Sequence, residues 1–161
     1  MKNLTIEHLA KRLPYGLRIK KGERNLLMNM GNGSSTYWIG INSVFKWFNS
    51  DMIIKPMPVL FPLSYITKEI HIKGVNDGKP FVPIEMFEIG DGDDNGIEYD
   101  YGNIKLIKDL ELIAIGNLPN AIHFLPYSVI NKFHEYHIDY ENLIDDGLAV
   151  DVTTLEVNPY K

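Results

Sequence analysis

Cysteine is absent from the 161 residues, which excludes disulfides, thiolate nucleophiles and cysteine-ligated zinc or iron–sulfur centres together. Long apolar runs are missing as well: Met57–Leu63 falls far short of the ~20 residues that a membrane-spanning helix needs. The opening Met1-Lys2-Asn3-Leu4-Thr5-Ile6-Glu7-His8 has neither the apolar core nor the small-residue cleavage site of a secretory signal. No repeat, low-complexity tract or block of five like charges occurs. These absences point to a soluble protein of the bacterial cytoplasm, without membrane contact and without an implied cofactor.

What is present fits a globular chain. Hydrophobic residues make up 45% and charged residues 23%, close to ordinary globular usage. The length suits a single domain over 1–161, large enough for a core without staples. Net charge is −5, unevenly spread. Residues 1–50 carry +6, residues 51–90 carry −1 and residues 91–161 carry −10. Such a split marks either a charged partner or two halves that neutralise each other.

Local pattern predicts the elements. Thr5 N-caps a short helix in which Ile6, Leu9 and Leu13 recur at helical spacing, and Pro14 and Gly16 end it. Leu17–Lys20 and Arg24–Met30 flank the turn Lys21-Gly22-Glu23 as a hairpin. Gly31-Asn32-Gly33-Ser34-Ser35 is a turn, and Thr36–Phe48, rich in aromatics and β-formers, predicts one or two strands. Pro56, Pro58 and Pro62 argue against a helix or central strand over Met52–Pro62, which reads as an extended connector packed on the core. Short helical turns follow at Tyr65–Ile70 and from Pro83, with a turn at Lys73–Lys79 between them. Tyr101–Ile115 is ambiguous between helix and strand. The clearest helix, opened by Pro126, runs about 126–138 with Val129, Ile130, Phe133 and His137 on one stripe. Leu148–Val152 closes as a strand. The alternation predicts an α+β fold, a small mixed domain of antiparallel hairpins and a few short helices.

Certain residues carry a family resemblance. They are Leu4-Thr5-Ile6-Glu7-His8-Leu9-Ala10 with Leu13-Pro14-Tyr15-Gly16-Leu17, and Pro58-Val59-Leu60-Phe61-Pro62-Leu63-Ser64 with Thr67-Lys68-Glu69-Ile70. Phe81-Val82-Pro83-Ile84-Glu85, His134-Glu135-Tyr136-His137-Ile138-Asp139, Leu143-Ile144 and Gly147-Leu148-Ala149-Val150-Asp151 complete the set. Together they resemble uncharacterised small proteins encoded by Bacteroidetes phages and prophages, whose members usually carry tryptophan where Tyr136 stands. The resemblance implies a phage accessory protein and transfers no catalytic residue.

Three groups of residues are candidates for chemistry. Asp91, Asp93, Asn95 and Gly96 match the first half of a calcium-binding EF-hand loop, with Glu98 or Asp100 within reach; the bidentate glutamate is replaced by Gly102. The alternative is a solvated acidic turn. His134 and His137, at i and i+3 of one predicted helix, are candidates for a transition metal alongside Glu135 and Asp139; a hydrogen-bonded histidine at the core edge is the competing reading. Lys11, Arg12, Arg18, Lys20, Lys21 and Arg24, interleaved with Tyr15, form a candidate basic surface for nucleic acid, against a plain hairpin with charges on its exposed face. Conversely, the acidic half, including Asp91, Asp93 and Asp94, is suited to imitating phosphate charge on a basic partner.

These features favour a non-enzymatic phage protein that binds a macromolecule, a protein partner first, for instance as an anti-CRISPR type inhibitor of a host defence nuclease. A nucleic-acid-binding protein using the basic N-terminal hairpin is the alternative, and a small metal-dependent enzyme a third.

Overall fold

A computed structural model describes residues 3–21, 24–29, 38–48, 57–87, 110–113, 116 and 125–161. The fold is α+β: a mixed six-stranded sheet with a few short helices. Two compact units divide the chain, Met1–Pro62 with Phe133–Lys161, and Leu63–Lys132.

The first unit holds the sheet. Helix α1 (Ile6–Ala10) follows Thr5, whose backbone N–H donates to His8 Nδ1 at 2.9 Å, satisfying one of the donors a helix start leaves open. A 3₁₀ turn at Leu13–Tyr15 ends on Gly16, whose φ of +76° a residue with a Cβ adopts only with strain. Strands β1 (Arg18–Lys21) and β2 (Arg24–Asn29) pair as the predicted antiparallel hairpin, Ile19 opposite Leu26. Strand β3 (Trp38–Gly40) runs parallel to β2. Leu9, Leu13, Leu17, Ile19, Leu26, Met28, Ile39, Val44, Leu60, Leu143 and Ala149 form one buried cluster.

Three expectations change. Thr36–Phe48 is not all strand: after β3 the chain becomes helix α2 (Ile41–Phe48). Ile41, Val44, Phe45 and Phe48 recur at helical spacing, and Val44 is buried while Asn42 and Lys46 are exposed, so period outweighed the β-propensity of single residues.

Of the proline-rich stretch, residues 52–56 lie outside the described residues; Met57–Pro62 is extended and packed on the core, as expected, but it is strand β4, at the centre of the sheet. It pairs antiparallel to β1 at Met57 and Pro58, parallel to β6 (Val150–Asp151) at Val59 and Leu60, and parallel to β5 (Ile138–Asp139) at Phe61 and Pro62. Antiparallel pairs alternate between hydrogen-bonded and non-bonded. Pro58 has no N–H, so Ile19–Pro58 is a non-bonded pair, and the hydrogen-bonded pair falls on its registered neighbour Lys20–Met57. Placed there, proline costs the ladder no donor.

Helix α3 (Tyr127–Glu135), nine residues, is the longest helix among the described residues, with Val129 and Phe133 buried. It stops before the expected Ile138. His137 takes φ +54°, its N–H donating to His134 O at 3.2 Å, while Phe61 N–H donates to His137 O at 2.9 Å. Capture of Ile138–Asp139 by β4 diverts the chain from the helix.

In the second unit Ile70 and Phe81 exchange two backbone hydrogen bonds, 2.8 and 2.9 Å, around the predicted turn at 73–79. Short 3₁₀ helices at Leu63–Thr67 and Pro83–Met86 pack together, and residues 110–113 are helical. The Gly31–Ser35 turn, the Asp91–Gly96 loop and most of Tyr101–Ile115 lie outside the described residues. No helix among the described residues is long and apolar enough to cross a membrane.

Two substitutions test the β4 assignment by urea unfolding. Leu60→Ala, at a fully buried site, is expected to cost about 2–5 kcal/mol. Pro58→Ala is expected to cost under ~1 kcal/mol, because no bond depends on that position.

Candidate functional site

The densest polar arrangement among the described residues lies in the first unit, where the end of α1 meets the segment after α3. Arg12 is its centre and has no exposed surface. Its Nη1 donates to His8 O at 2.9 Å and to Glu141 Oε2 at 3.2 Å, and Nη2 donates to Ile138 O at 3.1 Å. His8 O is one of the carbonyls that a helix end leaves open, so the guanidinium caps α1 and complements its dipole.

Glu141 also receives Lys11 Nζ at 2.5 Å. Burial alone would raise its carboxyl; the Lys11 hydrogen bond and the charges of Arg12 and Lys11 outweigh that and hold it below the usual glutamate range. Lys11 further donates to Tyr140 Oη at 3.0 Å, and Tyr140 Oη lies 2.8 Å from His134 Nε2. An ammonium only donates, so Tyr140 accepts from Lys11, and its hydroxyl shares a second hydrogen bond with His134 Nε2. Burial, then Arg12 and Lys11, push the His134 pKa down to about 4. The Tyr140 ring lies 5.4 Å from the Arg12 guanidinium and 5.1 Å from the Lys11 ammonium, within cation–π range.

A second group surrounds His137, which is fully buried. Its Nε2 lies 3.0 Å from Tyr15 O; a carbonyl only accepts, so Nε2 carries the proton. Burial first, then Arg12, lower its pKa to about 3. Its ring stacks on Tyr160, centroids 4.4 Å apart. Next to it, buried Asp139 accepts from the N–H groups of Leu143 (3.0 Å) and Ile144 (2.7 Å), fixing the loop that delivers Glu141. Burial raises its carboxyl despite those bonds.

This placement revises several candidates. Arg12 is interior, so it leaves the proposed basic surface, and Lys11 is committed to Glu141 and Tyr140. Arg18 and Lys20 are half-buried on β1, either side of buried Ile19. Lys21 and Arg24 are the last registered pair of the hairpin. His134 and His137 do not share a helix and turn to different partners, Tyr140 and Tyr15. Among the described residues no three His, Asp or Glu side chains are grouped to hold a metal ion. Asp91, Asp93, Asp94, Asn95 and Glu98 lie outside the described residues. Sequence reasoning missed Tyr140, Glu141 and Tyr160; the opposite charge of the two ends was the one signal for Glu141.

Comparison with protein-family models, curated proteins and solved structures finds no match.

The buried histidines set a pH dependence. Unfolded, each titrates near 6.5; folded, at about 4 and about 3. Below 6.5 the unfolded chain binds more protons, so stability is complete above neutrality and falls as pH drops toward the folded values. Glu141 adds loss in the same direction below its usual range, and Asp139 opposes it. Unfolding free energy measured by urea is expected to fall by on the order of 6 kcal/mol between pH 7 and pH 4, about half from each histidine, less what Asp139 offsets, with a shallower slope in His137→Gln. Asp139→Ala, which strands the buried Leu143 N–H and the partly buried Ile144 N–H, is expected to cost about 2–3 kcal/mol at pH 7.

Proposed function

We propose that this chain is a phage or prophage accessory protein that acts by binding a protein partner, presenting acidic side chains to a surface that ordinarily holds nucleic acid. A host defence nuclease, inhibited in the anti-CRISPR manner, is the concrete form. The observation that carries this reading is the charge of residues 133–161: seven acids against one lysine. Asp139 and Glu141 are turned to internal bonds, whereas Asp145, Asp146 and Glu156 are exposed. On the basic side Arg12 and Lys11 are occupied internally, which weakens the case for a nucleic-acid surface built on them. A field of one sign speeds encounter with an opposite field and weakens as salt rises. The resemblance to phage-encoded proteins agrees with such a role.

The test is recovery of partners from host lysate with a tagged chain. Expected is one host protein at stoichiometric amount, displaced by added nucleic acid and lost when Asp145, Asp146 and Glu156 are all changed to Lys. Recovery of nucleic acid alone, lost steeply with salt, contradicts the reading and supports a basic nucleic-acid surface instead.

A further inference from the structure

Alternation of the β1–β4 ladder places a hydrogen-bonded position at Arg18–Val59, yet the Arg18 N–H does not reach Val59 O directly. It donates to Tyr160 Oη at 3.3 Å, and that hydroxyl donates to Val59 O at 2.5 Å. The phenol thus stands inside the ladder as a relay. Burial raises the Tyr160 hydroxyl far above neutrality, so its proton is always available for the second bond. The ring is clamped between polar and apolar faces, stacked on His137 at 4.4 Å and 5.9 Å from Phe61.

Tyr160 is also the one buried residue of 153–161; Glu156 and Lys161 are exposed, and Val157 is 73% exposed. The Tyr160 and Lys161 N–H groups bond locally, to Asn158 Oδ1 at 2.9 Å and Asn158 O at 3.3 Å. We propose that residues 155–161 are a strap anchored by Tyr160, and that its seat between β1 and β4 is a recognition slot for a phenolic side chain. Emptied, the slot offers one donor (Arg18 N–H), one acceptor (Val59 O) and an aromatic face (His137). A phenol satisfies all three; a plain aromatic ring satisfies one. Lifting the strap therefore opens the β1–β4 seam locally while the β1–β2 hairpin stays paired, a low-stability element of the kind that partners capture.

Amide hydrogen exchange and cavity rescue test this in the full chain. Tyr160→Phe keeps the ring and removes the relay; exchange at the Arg18 amide is expected to quicken about tenfold, one hydrogen bond's worth. The Met28 amide, which donates to Leu17 O at 2.9 Å, is expected to be unchanged. Unchanged Arg18 exchange, or equal acceleration at Met28, overturns the relay. In Tyr160→Ala, added p-cresol is expected to restore Arg18 protection and raise the melting temperature, while toluene leaves Arg18 unprotected. Equal effects of the two probes, or none from either, overturn the slot. If the alanine variant does not fold, the Tyr160→Phe exchange result alone decides whether the hydroxyl bridges the seam.

Discussion

The first unit depends on a guanidinium with no access to water. A buried cation is costly unless its charge is paired and most of its donors are met. Arg12 pairs its charge with Glu141 and gives its Nη donors to His8 O four residues back and to Ile138 O and the Glu141 carboxylate more than a hundred residues on, while its buried Nε has no hydrogen-bond partner. The interaction therefore specifies as well as stabilises, because only the arrangement that brings β5 and its following loop against the end of α1 supplies those acceptors. Asp139, holding the loop through Leu143 and Ile144, and Tyr140, sharing Lys11 and His134, serve the same placement.

The sheet solves a related problem. A strand carrying proline sits at its centre, and the missing donor falls on a pair that needs none. β4 spends its length on three partners in turn, two residues each, so neither edge demands a continuous ladder. At the first position where β1 and β4 ought to bond again, a tyrosine hydroxyl from a distant segment does so for them. Arg12 and Tyr160 are thus two instances of one device: backbone groups left open by local structure are closed by side chains from far along the chain.

That device explains what was legible in the sequence. The α+β class, the capped first helix, the β1–β2 hairpin and the body of α3 rest on nearest-neighbour chemistry, and periodicity and capping read them. The strand role of Met57–Pro62 was not readable, since proline's cost depends on which pair it falls in, a property of register. The end of α3 was missed for the same reason: nothing local stops Tyr136 and His137 from continuing the helix, and pairing of Ile138 with Phe61 does. Helix α2 was legible but misread, its aromatics weighted above their spacing. Of the charged candidates, the sequence showed that the two ends differ in sign. It did not show that Arg12 would turn inward to Glu141 while Asp145 and Asp146 remained outside.

The central claim is that part of the basic N-terminal charge is matched within the molecule by the acidic end. A double-mutant cycle on Arg12→Met and Glu141→Leu, read by urea unfolding at neutral pH, measures that match directly. A coupling on the order of 2 kcal/mol is predicted, below the full value for a buried pair because Glu141 retains 22% side-chain exposure. A coupling under ~0.5 kcal/mol, the range of an ordinary surface ion pair, would contradict it.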